Sequence, residues 1–288
     1  MRIAVTGSTG KLGTVVAREL RAAGHEVIGL DVEGARAPGF VKVDLTDYGQ
    51  VIDALGAVGD RHEGVDAVVH LAAVPAPGIR PDAATFHNNI TASFNVFWAA
   101  SRLGIRRIVA ASSETVLGLP FDTPPPYIPV DEEYPARPES TYSLGKHLEE
   151  TMAVELVRWN PELSITALRF SNVMNPEDYA AFPDFDADAM QRRWNLWGYI
   201  DARDGAQAIE RALAVAGPGF ERYIIAAADT VMSRPNAELV AEVYPDVPLV
   251  ADLGVNDTLL SIEKARRELG YEPRHSWRDA ESSLTEEG

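Results

Sequence analysis

The sequence predicts an α/β fold: a doubly wound, mostly parallel sheet with helices on both faces, followed by a small C-terminal region. Three observations predict it. Short apolar runs alternate with segments whose apolar residues recur at helical spacing from residue 2 to about residue 170. A glycine-rich turn occupies the first junction between a run and a helix. Past residue 171 the alternation weakens, which divides the chain into a first region, 1–170, and a smaller one, 171–288, interleaved with the last sheet elements.

Residues 2–5 are a short apolar run ending in Thr6-Gly7, and 14–22 then carry apolar residues at helical spacing before Gly24, the pattern of strand, turn and helix. The cycle repeats with strands over 26–30 and 41–43, a helix over 51–55 and a buried strand over 67–71. A helix over 89–103 stops at Gly104, and 107–111 is a strand with a short β-branched core. Residues 118–138 contain Pro124, Pro125 and Pro126 and read as a long loop, a feature that in compact domains often serves function. A long helix over 142–159 ends at Asn160-Pro161, and 164–169 is the next strand. The substrate-side region then opens with an irregular stretch, 176–193, holding Asp184, Asp186 and Asp188. Helices over 205–216, 236–243 and 261–269 and a strand over 222–226 follow, and the acidic tail from Asp279 reads as frayed.

With 288 residues, 46% of them hydrophobic and 24% charged, the chain has the composition of a globular protein able to bury a large core. No apolar run approaches the roughly 20 residues that span a bilayer, and the N-terminus lacks the pattern of a secretory signal. The absence of cysteine excludes disulfides and thiolate metal sites, and the six histidines show no H-x-x-x-H spacing, so no metal is expected and a cytoplasmic location is. A formal net charge of −17 repels polyanions, and no basic patch offsets it, which argues against nucleic acid and membrane as partners. Lysine occurs only at 11, 42, 146 and 264, so a lysine at a chemically useful spacing stands out.

The glycine turn runs Gly7-Ser8-Thr9-Gly10-Lys11-Leu12-Gly13. Three glycines at this spacing arise by chance in roughly one such sequence in eight, so their placement carries the signal. At a strand-to-helix switch, small residues let the backbone approach a pyrophosphate, which then sits at the positive helix N-terminus as in Rossmann dinucleotide sites. Gly7, Thr9, Gly10, Lys11, Leu12 and Gly13 are therefore candidate cofactor-binding residues. Asp31 ends the second strand, where a carboxylate accepts hydrogen bonds from the adenosine ribose and repels a 2′-phosphate, so NAD is expected over NADP. Arg36 is the nearby residue that would favour the phosphate.

Tyr142-Ser143-Leu144-Gly145-Lys146 sets a tyrosine and a lysine one helical turn apart on one face. A phenol of pKa near 10 is a poor base at neutral pH. An ammonium about 4 Å away is worth roughly 4 kcal/mol at an effective dielectric of 20, enough to lower that pKa by about 3 units. The pair can thus serve as a general acid/base. An exposed helix pair is the plain alternative.

Joined to the glycine turn, the Tyr/Lys pair makes the sequence resemble the extended short-chain dehydrogenase/reductases, the NAD-dependent epimerase/dehydratase family, from residue 1 to about 280. Asp44-Leu45-Thr46-Asp47 is similar to the family's adenine-side segment, and His70-Leu71-Ala72-Ala73 to the strand end beneath the cofactor. Asn89-Ile90-Thr91-Ala92-Ser93-Phe94-Asn95 resembles the N-V-x-G-T-x-N helix. Ala111 to Gly118 resembles the strand end that supplies the catalytic serine, Asp131 to Pro135 the segment leading to the tyrosine, and Lys264 to Pro273 the C-terminal signature. The resemblance implies that Asp44, Leu45, Leu71, Ala72, Ala73 and Asn89 join the cofactor site. It also implies that Ser113 bonds the reacting oxygen, that Tyr142 exchanges its proton, and that Lys146 holds the nicotinamide ribose. Ser112 is the competing serine, and Ser113 is the one that matches the family position.

Two departures narrow the expected substrate. Where sugar-nucleotide epimerases carry R-D-Y-I-H-V-x-D, this chain reads Trp197-Gly198-Tyr199-Ile200-Asp201-Ala202-Arg203-Asp204, without the arginine that contacts the diphosphate. Where dehydratases carry neighbouring Asp and Glu, it has Glu114 and Thr115. The short C-terminal region resembles the uronate dehydrogenase branch, so the expected activity is interconversion of a hydroxyl with a keto or lactone group on a sugar or sugar acid. An NAD-dependent epimerase and a non-catalytic dinucleotide sensor are the alternatives. Candidate substrate residues are Ser113, Glu114, Asn172 and Arg192. Arg192 and Arg193 are placed to receive a carboxylate or to form a solvated pair, and Trp194, Trp197 and Tyr199 to line a sugar pocket or to pack in the core. The family also implies a homodimer through the helices at 89–103 and 142–159, with Phe94, Phe97, Trp98 and Trp159 as contacts or core.

Overall fold

The computed structural model describes residues 1–35, 37–57 and 62–279; Arg36 and the acidic tail from residue 280 lie outside the described residues. Seven parallel strands form the central sheet: β1 (Arg2–Thr6), β2 (Glu26–Asp31), β3 (Phe40–Lys42), β4 (Ala67–His70), β5 (Arg107–Ser113), β6 (Ser164–Phe170) and β9 (Gly219–Ile225). Their spatial order is β3-β2-β1-β4-β5-β6-β9. The chain winds outward from β1 to β3 and returns to place β4 on the other side of β1, so the order reverses between β1 and β4. A crevice opens beyond the carboxyl ends of the strands at such a reversal. Strands β4 and β6 are buried at every residue because helices cover both faces of the sheet, so that even Ser164, Thr166 and Arg169 of β6 lie inside.

One face is covered by α1 (Lys11–Ala22), α5 (Ala202–Val215), α6 (Asn236–Val243) and α7 (Glu263–Leu269), whose Val16, Leu20, Ile209, Leu213, Leu239 and Leu269 share a core with Ile3, Val5 and Leu168. The other is covered by α2 (Tyr48–Gly56), α3 (Asp82–Arg102) and α4 (Thr141–Trp159), packed on Ala4, Val68, Ile108 and Ile165. A buried ion pair bolts α4 to β6. Arg169 donates from Nε to Glu150 Oε1 at 2.9 Å and from Nη2 to Oε2 at 2.7 Å, and Ser112 donates to Oε1 at 2.6 Å.

Helix α3 starts seven residues before the expected 89, at Asp82 directly after Pro81. Its first two turns carry Asp82, His87 and Asn88 and are largely exposed, so no apolar stripe announces them. The stretch expected as irregular, 176–193, holds 3-10 turns at Pro176–Ala181 and Pro183–Ala187, with a third beginning at its end over Arg193–Asn195, and it is flanked by a two-residue ladder, β7 (Val173–Met174) with β8 (Ile200–Asp201). Elements this short have no sequence period. The proline-rich loop is tied down rather than free: Phe121, Ile128 and Val130 are buried, and Ile128 and Val130 bridge to Leu249 and Leu260. Among the described residues no helix is long and apolar enough to cross a membrane.

Candidate active site

A cleft of about 1080 Å³ opens over the carboxyl ends of the strands, at the reversal between β1 and β4. Gly7, Thr9, Gly10, Lys11, Leu12 and Gly13 line it from the first strand-to-helix turn. Gly7 has φ +66°, and a Cβ there would lie 2.7 Å from the Ala72 nitrogen; a Cβ on Gly13 would lie 2.0 Å from the Gly7 carbonyl oxygen. The turn therefore folds onto itself and onto the end of β4 only with glycine at both positions. Gly10 N-caps α1 with no side-chain partner, which leaves the positive end of the helix open to an anion. Lys11 reaches across to Asp178 at 2.5 Å, joining the turn to the C-terminal region.

At the far end of the cleft, Asp31 Oδ2 accepts from the backbone and hydroxyl of Thr9 at 3.0 and 2.8 Å, so the carboxylate is fixed beside the turn. Asp44 Oδ1 accepts from the backbone and hydroxyl of Thr46, and the Asn95 amide donates to the Leu45 carbonyl at 2.9 Å, which holds the 44–46 segment as a wall. Leu71, Ala72 and Ala73 line the opposite wall. Asn89 does not line the cleft. Its amide bonds both the N–H and the C=O of Val74, at 2.8 and 3.0 Å, so it shapes the 72–76 loop from behind instead of touching what the loop holds. Thr6 does the same for Leu71 and Ala72, accepting from both backbone N–H groups.

Ser113, at the end of β5, and Tyr142 and Lys146, on α4, line the same cleft. A capping box of Ser140 and Ser143 starts α4 and presents Tyr142 in its first turn. Ser113 Oγ accepts from the Thr115 backbone at 3.2 Å and from the Thr115 hydroxyl at 3.0 Å, which leaves its own hydrogen to donate into the cleft. The Ser112 hydroxyl, by contrast, is committed to Glu150. Lys146 Nζ donates to the Ala111 carbonyl and to Glu149 Oε2, each at 2.9 Å. Burial is the largest influence on the Tyr142 phenol and raises its pKa; Lys146 pulls the other way and Glu149 adds to the rise, so the phenol stands above its ordinary value. This reverses the expectation that the lysine leaves it lowered. The lysine charge acts as foreseen, but burial and a neighbouring anion outweigh it.

On the remaining wall stand Glu114, Asn172 and Trp194. Burial lifts the Glu114 carboxyl to about 7, against the hydrogen bonds from Ser171 at 2.6 Å and Asn195 at 3.2 Å and the charge of Arg192. Arg192 lies behind this wall and does not line the cleft. Its guanidinium stacks between Phe185 and Trp194, at 5.2 and 5.0 Å from the ring centres, and bonds the Gly198 carbonyl. Arg193 pairs with Asp122 at 3.2 Å. Trp197 and Tyr199 are fully buried and bond Ala189 and Asp229, so of the three aromatic candidates only Trp194 reaches the cleft. Thr6, His70, Ser93, Thr115 and Glu149 escaped the sequence reading as site residues. His70, Ser93 and Thr115 lay within motifs that carried the family resemblance, and Glu149 had a signal in its position three residues after Lys146 on the same helix face.

The family described as NAD dependent epimerase/dehydratase has a model that matches residues 3–226. L-arabinose 1-dehydrogenase (NAD(P)(+)) of Haloferax volcanii is 26% identical over 95% of this chain and 96% of its own length. The uronate dehydrogenase of Pseudomonas syringae pv. tomato is 32% identical over 53% of this chain and 52% of that enzyme. Against several UDP-glucose 4-epimerases the chain matches over about half of their length. Among solved structures, a short-chain dehydrogenase/reductase superfamily protein from Agrobacterium tumefaciens with bound NAD superposes with a TM-score of 0.69 at 25% identity, covering 96% of this chain and 94% of the other.

Proposed function

Because the chain belongs to the NAD-dependent epimerase/dehydratase family, we propose that it is an NAD-dependent oxidoreductase interconverting a hydroxyl and a keto or lactone group on a free sugar. The observation that carries this reading is the convergence of Ser113, Tyr142 and Lys146 on one cleft with the glycine turn. The residues fit the cofactor: the turn is closed to any Cβ at Gly7 and Gly13, an uncapped helix end faces the cleft, and the fixed Asp31 carboxylate suits ribose hydroxyls and repels a 2′-phosphate. When bound, the nicotinamide supplies the hydride acceptor or donor. Gly7 through Gly13 would hold the diphosphate, and the 44–45 and 71–73 segments would enclose the adenine and the ring.

In the oxidative direction Ser113 turns its hydrogen from the Tyr142 phenol to the substrate oxygen and fixes that oxygen beside Tyr142. Tyr142 takes the hydroxyl proton, and the Lys146 ammonium steadies the phenolate; in the reverse direction the phenol returns the proton. The substrate wall favours an uncharged sugar over a uronate, because it offers the Glu114 carboxyl while Arg192 is spent between two rings behind it. We also read the exposed Leu144, Leu148 and Val154 of α4, with Phe94 of α3, as the face of a homodimer. Phe97 is core, and Trp159 is 60% exposed. A cytoplasmic location is the reading that the cysteine-free composition supports.

The test is NADH formation with matched aldoses and uronates, alongside UDP-sugars. Net NADH from an aldose, lost by roughly 100-fold or more in Tyr142→Phe, supports the proposal. Interconversion of epimers without net NADH would assign an epimerase instead, and NAD uptake by calorimetry with no turnover of any sugar would point to a sensor.

A further inference from the structure

Three residues after Lys146, Glu149 is buried at 5% exposure with Oε2 on the lysine Nζ at 2.9 Å; burial raises its carboxyl above the usual carboxylate range, and the Lys146 charge and the Ser93 hydroxyl oppose that rise. A carboxylate so placed is costly unless it is held by charges and donors. The donors are identifiable. Thr6 Oγ1 already accepts from the Leu71 and Ala72 backbone N–H groups, so its own hydrogen goes to His70 Nδ1, 2.8 Å away. His70 Nε2 therefore carries the ring hydrogen and donates to Ser93 Oγ at 3.0 Å, which leaves the Ser93 hydrogen for the Glu149 carboxylate that Ser93 faces. Burial and then the Lys146 charge push His70 down to about 3, in keeping with the neutral ring that this order requires. Every donor in the chain points toward Glu149.

We propose that Glu149 is a positioning residue for the proton-transfer pair: as the terminal acceptor of the Thr6–His70–Ser93 chain it stays an anion, holds the Lys146 ammonium against Ala111, and tempers that cation's pull on Tyr142. The consequence is that Tyr142 releases its proton at a higher pH than Lys146 alone would set. This rests on the reading of Tyr142 as the acid/base group. The groups acting on Glu149 are Tyr142, Lys146 and Glu150 on α4 and Ser93 on α3, with His70 at the end of β4 one hydrogen bond further away through Ser93; Glu150 is itself neutralised by Arg169. The raised phenol of Tyr142 and the raised ammonium of Lys146 agree with this arrangement. Burial lowers the lysine, and the Glu149 carboxylate leads the charges that outweigh it.

The test compares the NAD-loaded parent with Glu149→Gln and Glu149→Asp. In Glu149→Gln the limb of kcat that rises with pH in the oxidative direction moves to lower pH by about one to two units, the effect of one charge removed at this range. Glu149→Asp returns it toward the parent. An ultraviolet difference titration against Tyr142→Phe reads the same phenol without turnover, so it decides the role of Glu149 even if no sugar is oxidised and the proposed activity fails. Should Glu149→Gln not fold, Glu149→Met, which removes the charge at similar volume, carries the same expectation. A phenol titration in the uncharged variant that superposes on the parent, or a limb that moves as far in Glu149→Asp, overturns the proposal.

Discussion

Gly13 leaves no room for a methyl group, since its Cβ would sit 2.0 Å from a backbone oxygen that is itself held by the turn. Gly13→Ala is expected to abolish NAD uptake in calorimetry while the far-ultraviolet spectrum of the sheet and helices survives; NAD binding at the parent affinity would refute the assignment of the turn. Glu114 makes a separate claim about pH. With its carboxyl near 7, it is protonated and short of acceptor capacity in mild acid, and it becomes a carboxylate able to accept sugar hydroxyls as the pH rises. The KM for an aldose should therefore fall as pH rises through about 7, and the Glu114→Gln variant should show a flat KM across the same range. Steady-state kinetics at each pH checks both, and it keeps this effect apart from the kcat limb proposed for Tyr142.

Helix α4 does two jobs along its length: Tyr142 and Lys146 line the cleft, with Glu149 bonded to the lysine from behind, and Glu150 bolts the helix to β6 through Arg169. Removing one partner of such a buried pair leaves an uncompensated charge, so Arg169→Met should cost about 3 to 5 kcal/mol of unfolding free energy. Adding Glu150→Leu should recover much of that loss in chemical denaturation; a single variant as stable as the parent would show the pair to be idle. The elements themselves were largely legible. Buried parallel strands write their apolar runs into the sequence, and the expected strands over 26–30, 107–111 and 164–169 each fall within one or two residues of β2, β5 and β6. The residues that line the cleft in the glycine turn and on α4 were legible for the same reason, because fixed spacing on a turn or helix implies a shared face. Asn89 and Arg192 were not. Their types suit a ligand equally well, and only tertiary packing decides whether an amide meets Val74 or a guanidinium slides between Phe185 and Trp194. The Thr6–His70–Ser93 chain joins three separate elements, a juxtaposition that no local pattern encodes.

A net charge of −17 spread over the molecule acts as self-repulsion that opposes compaction. Screening shortens from about 10 Å at 0.1 M salt to about 3 Å at 1 M. The thermal midpoint should therefore rise over that range of sodium chloride in calorimetry, and a midpoint that falls would mean that attractive ion pairs outweigh the excess of acid. The sheet has its own long-range demand. Its last strand, β9, comes from residues 219–225 yet completes the ladder on β6, and β6 is buried along its whole length. A nascent chain that has emerged from the ribosome only as far as α5 thus carries every residue of the turn and the Tyr/Lys helix, but presents the open hydrogen-bonding edge of a strand that is wholly buried in the finished fold. Catalytic competence and safe solubility are reached together, late in synthesis, when that edge is sealed.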